Sequence, residues 1–350
     1  MKRIALPLLL LTMSASLFAF SFSLAPNTSF FEPLNSDQFS PKTHLGAFYL
    51  LDSDPKGNII RFDKLNGTPG EYYPLINTYK EGKDDAFLLL QAAGGFSALK
   101  FDFGKVQLQA HIEAYIRGVF YLLHGNDVMG FDGSYFIGME SKIIDSLILR
   151  GGIRHYSGHL GDEVLYAVIQ NNPDYIDAEI SEYVRDTFEF SVGYSNKDFP
   201  YVEGAISFMI PQKNSYLLPF AHRPDNIISG GKTNAERDPE SYAVRGDYGP
   251  SYKAIILAGE LTLSYPFGMN NAFLILSGKL HQDGVTKHTL DPSDDGGFWE
   301  YEYDVTLGLE RFNMNGRSIA VELIWHDGRF PLLNYYWKRT KSVSLVFSVN

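Results

Sequence analysis

Val106-Gln107-Leu108-Gln109-Ala110-His111-Ile112-Glu113-Ala114-Tyr115-Ile116-Arg117-Gly118-Val119-Phe120-Tyr121 alternates with period two. Val106, Leu108, Ala110, Ile112, Ala114 and Ile116 take the even positions, and Gln107, Gln109, His111, Glu113 and Arg117 the odd ones. Successive side chains of a strand point to opposite faces, so the segment reads as a strand with one apolar and one wet face. It is long for a soluble sheet and suits a tilted bilayer crossing. Gln107, Gln109, His111, Glu113 and Arg117 would then face a lumen.

The same alternation recurs downstream. In 253–265, Ile255, Leu257, Leu261, Leu263 and Tyr265 oppose Glu260, Thr262 and Ser264. In 299–312, Val305, Leu307 and Leu309 oppose Glu300, Glu302, Asp304 and Glu310. The lumen face thus gains Glu260, Glu300 and Glu302, with Arg117, Arg150, Arg154 and Lys279 as basic partners. The pattern predicts strands at 43–51, 57–63, 86–95, 96–103, 106–121, 133–143, 146–157, 184–196, 201–211, 252–265, 271–282, 299–312, 316–326 and 340–349; it is weakest at 57–63, 86–95 and 96–103. Short connectors (102–105, 144–145, 266–271, 313–316) are interspersed with long ones (122–132, 158–183, 212–251, 283–298, 327–339). Short turns on one rim and long loops on the other mark outer-membrane barrels. The expectation is an all-β fold: an antiparallel transmembrane β-barrel of about 12 strands, within a range of 10 to 14.

Bulk properties fit that class. Lys2 and Arg3 precede an apolar run from Ile4, and Ala19, Ser23 and Ala25 are candidate cleavage residues, so 1–25 reads as a secretion signal cleaved between 19 and 25. Residues 26–350 would form a single barrel domain in the bacterial outer membrane. The chain has no cysteine, which excludes disulfides, thiolate chemistry and a cysteine-borne lipid anchor. A net charge of −11 argues against nucleic acid as a partner. Aromatic residues make up 15% of the chain, and those near strand ends fit interfacial girdles. The C-terminal alternation of Val343, Leu345, Phe347 and Val349 resembles the closing strand that the barrel assembly machinery reads. Outer-membrane lipid and that machinery are the expected partners.

The densest polar cluster is Arg154-His155-Tyr156-Ser157-Gly158-His159-Leu160-Gly161-Asp162-Glu163. His155, Ser157 and His159 share strand parity with Leu147, Leu149 and Ile153, the apolar side. A His and a Ser emerging toward lipid at a membrane rim admit three readings. His155 could serve as general base to Ser157, with Asp162 or Glu163 orienting the imidazole. His159, Asp162 and Glu163 could hold a metal ion, with calcium favoured by the carboxylates; no other cofactor is expected. Or Gly158 and Gly161 shape a turn whose polar residues pair with rim arginines. Neighbours two apart on a flat strand stand roughly 6–7 Å apart, so a direct His–Ser bond needs twist or a bulge.

Gly152 to Ser157 resembles the His-x-Ser strand of outer-membrane lipid A deacylases, which implies a base role for His155 and a nucleophile role for Ser157. The longer stretch His155 to Glu163 resembles a His-x-Ser-x-His-Leu-Gly-Asp-Glu motif in a family of bacterial envelope proteins of unassigned activity. Three functions follow as expectations. The first is a non-enzymatic pore, surface or scaffold barrel. The second is an ester hydrolase acting on membrane lipid. The third is a soluble secreted β-protein that binds a ligand.

Overall fold

The structure is a computed structural model and describes residues 21–24, 29–30, 42–53, 61–63, 72–74, 86–122, 128–161, 183–196, 198, 201–212, 216–217, 255–282, 299–312, 318–333 and 339–349. Its strands are β1 (Ser21–Leu24), β2 (Thr43–Ser53), β3 (Arg61–Asp63), β4 (Tyr72–Pro74), β5 (Ala86–Asp102), β6 (Gln107–Tyr121), β7 (Val128–Ile144) and β8 (Leu147–Leu160). There follow β9 (Tyr183–Asn196), β10 (Tyr201–Pro211), β11 (Tyr216–Leu217), β12 (Ile256–Phe267), β13 (Asn270–His281), β14 (Glu300–Phe312), β15 (Ser318–Arg329) and β16 (Arg339–Val349). Twelve of them close a ring in the order β5-β2-β16-β15-β14-β13-β12-β10-β9-β8-β7-β6, and the β5–β6 pairing completes the antiparallel barrel. Closure gives each of the twelve strands a partner on both sides, which a hydrocarbon surround favours.

Two expectations are corrected. The segments 86–95 and 96–103 are one strand, because Gly94-Gly95 continues the extended chain opposite Ala114 and Glu113 instead of turning. A register shift between Ser97 and Leu99 absorbs the irregularity. Residues Arg61–Asp63, expected as part of a barrel strand, pair with Tyr72–Pro74 in a separate ribbon off the barrel. One strand was not expected: β1 pairs along Leu99–Asp102 of β5, beyond the point where the β2–β5 ladder stops. It lies inside the segment read as a cleaved signal. Cleavage after Ala19 would retain it, and cleavage after Ala25 would remove it.

The outward face is apolar. Ile137, Ile153, Phe188, Phe190, Val192, Leu261, Leu276, Leu307, Leu323 and Phe347 are all exposed. So continuous a belt has no place in water, and it removes the soluble-protein reading. The inward face is polar and buried. Glu113 Oε1 accepts from Arg150 Nη2 at 2.5 Å and from Arg154 Nη2 at 2.6 Å, while Arg154 Nε donates to Glu189 at 2.5 Å. Gln109 Nε2 reaches Glu140 at 2.7 Å. The Arg150 guanidinium lies 3.6 Å from the centroid of the Phe136 ring. That ring lies over Gly138 and Gly152, which face each other across β7 and β8; a Cβ on Gly152 would come within 2.7 Å of it.

The long-loop end of the lumen receives chain. Phe330, Leu332 and Leu333 are buried, with Phe330 meeting Phe48 and Phe87 edge-on at 5.8 and 5.7 Å. Leu333 N–H donates to Asp132 of β7 at 3.1 Å, and Arg117 of β6 reaches the Pro331 carbonyl at 3.5 Å. In the ring β7 lies five places from β15, so residues 330–333 bridge the long-loop mouth. On the short-turn side, Ser29 Oγ and Phe30 N–H donate to Glu140 at 3.0 and 2.8 Å. We expect wild-type protein in planar bilayers to give a quiet baseline. Steady ohmic steps without added denaturant would show that these bridges do not close the lumen.

Candidate functional site

The site forms on the outward face near the long-loop rim, where β8 lies between β7 and β9. Antiparallel register sets His155 opposite Tyr135 on one side and Asp186 on the other. Ser157 sits opposite Gly133 and Val184. His155 Nδ1 lies 2.8 Å from Asp186 Oδ1, and the Tyr135 ring stacks on the imidazole with centroids 4.8 Å apart. A carboxylate can only accept, so the proton of this bond sits on Nδ1; in the neutral imidazole Nε2 is then the nitrogen with the lone pair. The His155 and Asp186 side chains are 23% and 29% exposed, which puts the pair at the boundary between wall and lipid. Gly133 leaves open space beside the serine: a Cβ there would lie 3.4 Å from Ser157 Oγ.

Chemically, this is an imidazole held in one tautomer by an acid, with a hydroxyl two residues along the same outward face. Such an arrangement can take a proton from an alcohol and return it to a leaving group. Its outward surroundings (Ile137, Ile153, Phe188) are apolar and exposed.

Of the residues singled out by sequence, His155 and Ser157 share this outward face two positions apart, with no hydrogen bond between them. His159 is exposed on the same face, opposite Phe131. Asp162 and Glu163 lie outside the described residues. Among the described residues no group of three or more His, Asp or Glu is arranged to hold a metal ion. The acid on His155 is Asp186, supplied by the next strand. Its signal was present in the sequence: Asp186 shares parity with Phe188, Phe190, Val192 and Tyr194, which are exposed, so it is a lone acid on an apolar face.

The remaining polar residues take inward positions. Gln107 Nε2 bonds Asp102 at 2.7 Å, and Gln109, His111, Glu113 and Arg117 are buried. Ser97 Oγ lies 3.1 Å from His111 Nδ1, and Arg117 Nε donates to Gln91 at 2.9 Å. Glu260 accepts from Thr262 Oγ1 at 3.2 Å. Glu300 accepts from Arg329 at 2.9 Å, and Glu302 lies 3.5 Å from Lys279 Nζ. These bonds make a cross-linked interior and do not converge on an open centre.

No family model matches the chain, and no curated relative does. Several solved structures share its architecture. Outer membrane phospholipase A from Escherichia coli is 9% identical, with 89% of this chain and 94% of that chain covered and a TM-score of 0.45. The transport unit of the autotransporter AIDA-I from Escherichia coli is 8% identical over 93% of this chain and 94% of that one, with a TM-score of 0.38. An anion-selective porin from Comamonas acidovorans is 8% identical over 95% of this chain and all of its own, with a TM-score of 0.31.

Proposed function

We propose that this chain is an outer-membrane ester hydrolase that attacks acyl esters of membrane lipid with Ser157, using His155 as base and Asp186 as the group that orients it. The observation that carries this reading is the His155–Asp186 bond on a lipid-facing surface, beside an outward serine. Ionisable side chains are costly against hydrocarbon and persist there where they are paired and used.

In the first step Ser157 Oγ bonds to the acyl carbon while its proton passes to His155 Nε2. The ester C–O bond then breaks, and the leaving alcohol oxygen takes that proton. Water repeats the sequence: His155 accepts its proton, hydroxide adds to the acyl carbon, and Ser157 recovers a proton as the fatty acid departs. Asp186 stabilises the imidazolium at both stages without being protonated itself. A direct Ser157 Oγ–Nε2 bond requires strand twist and rotation about the Ser157 side chain, and apo geometry of such pairs is commonly loose.

The pore reading draws less support, because the buried residues 330–333 run from β15 to Asp132 of β7 across the long-loop mouth. A long-chain alkylsulfonyl fluoride, presented in mixed micelles, tests the hydrolase. We expect stoichiometric modification of Ser157, read by peptide mass spectrometry and abolished in His155→Ala. Modification spread over several hydroxyls at equal rates would sink the proposal.

A further inference from the structure

An apolar cavity of about 550 Å³ opens on the outer wall two strands from Ser157. Leu45, Leu90, Ile116, Phe120, Phe131 and Phe347 contribute to its lining. Its cause is a step in the wall. The β2–β5 ladder ends at His44↔Gln91, and Thr43 Oγ1 makes a last connection, accepting from Ala93 N–H at 3.1 Å and donating to Ala93 O at 3.2 Å. Strand β5 continues past that point, so the outer surface drops where β2 stops. Small residues deepen it. Ala92 is on the floor, and a Cβ on Gly118 would come 3.0 Å from Phe120 and 3.1 Å from Phe131.

Register aligns this hollow with the serine. Ala92 pairs with Ile116, Ile116 with Gly133, and Gly133 with Ser157. Gly133 is therefore the single position in that row between the cavity and the hydroxyl, and it carries no side chain to bar the way. Three inter-strand steps of about 4.8 Å span roughly 14 Å from Ser157 to Ala92, the reach of a long acyl chain and more than a short one needs. The outward described neighbours of Ser157 are Phe131, Tyr135, His155, His159 and Asp186, with no lysine or arginine to meet the phosphates of lipid A.

Resting on the hydrolase reading above, we infer that this hollow holds the acyl chain of the glycerophospholipid whose ester Ser157 attacks, and that its depth sets the preferred chain length. The chain leaves Ser157 over Gly133, runs along Ile116, and ends between β5 and β2.

The test uses the full-length protein in phosphatidylcholine vesicles. A phosphatidylcholine bearing a diazirine at the end of its palmitoyl chain is photolysed with Ser157→Ala, and cross-links are mapped by mass spectrometry. Label concentrated on Leu45, Leu90 and Ile116 is expected; label spread evenly to Leu276 and Leu307 on the far wall overturns the inference. A lipid A analogue with the same tag forms a second arm, and label from it alone also overturns the inference. Independently, Ala92→Phe should lower the ratio of palmitoyl to octanoyl release by about tenfold, the effect of withdrawing roughly two methylenes from apolar burial. Leu307→Phe should leave that ratio at the wild-type value, and an Ala92→Phe ratio equal to wild type counts against the assignment. Fatty-acid release without label in the hollow removes this inference and keeps the hydrolase. Label without release by wild type removes the hydrolase and, with it, the assignment of the chain to a reacting ester.

Discussion

Ser157→Ala and His155→Ala should each lower fatty-acid release from phospholipid vesicles by about four to six orders of magnitude, the loss found when the nucleophile or base of such a unit is removed. The double variant should be no worse than either single one, because the two groups act in one step and neither works alone. Asp186 is graded differently. Asp186→Ala frees the imidazole to flip and change tautomer, and an effect of about 10²-fold to 10⁴-fold follows. Asp186→Asn loses the charge and exchanges one oxygen for an NH2 donor that can hold the wrong tautomer, so it should fall by as much as the alanine variant, about 10⁴-fold. Release is measured at matched amounts of folded protein, judged by heat-modifiable gel mobility. Ser157→Ala with wild-type turnover would end the serine mechanism. Asp186→Ala with wild-type turnover would end the role given to that residue and leave the other two standing.

Sequence exposed part of this site and hid the rest for a physical reason. Period two is a local property, so the strand faces could be read directly. That reading put His155 and Ser157 outward beside Ile153, and Arg150 and Arg154 inward, where they are buried. Lateral register is not local. It is set by ladder hydrogen bonds between strands whose connection runs through 161–182, and nothing in the composition of β8 says that Asp186 lands opposite His155. Asp162 and Glu163 were favoured because they are near in sequence, and both lie outside the described residues. Applying the parity test to every strand, and looking for acids on apolar faces, would have singled out Asp186. The same limit explains 86–102. Gly94-Gly95 carries the composition of a turn, and only pairing with β6 shows that the chain runs straight through. Strand β1 was masked by the apolar run that reads as a secretion signal, since Phe22 and Leu24 suit either role.

Glu113→Ala is expected to destabilise the barrel by about 3–5 kcal/mol, the cost of leaving buried charges without their partner. Glu113 Oε1 is shared by Arg150 and Arg154, both of whose side chains are nearly inaccessible. Glu189 still meets Arg154 at 2.5 Å and Arg150 at 3.4 Å, and Glu140 lies 3.9 Å from Arg150; both of these Arg150 contacts are longer than the one Glu113 makes to it. Urea titration followed by tryptophan fluorescence in detergent micelles should show the midpoint falling at an unchanged slope. Glu113→Gln should fall between wild type and alanine, because its carbonyl oxygen still accepts one guanidinium bond. Glu113→Leu combined with Arg150→Met should recover part of the loss, since a well-packed apolar pair often equals a buried ion pair. The network also bears on the outer face. Arg154 directly precedes His155, so the bonds that tie β8 to β6 and β9 hold the strand in the register that puts His155 against Asp186. Loss of Glu113 should therefore lower activity per folded molecule as well as the folded fraction. A midpoint within error of wild type would mean that backbone pairing alone fixes β8, and that the buried charges serve some purpose other than holding it.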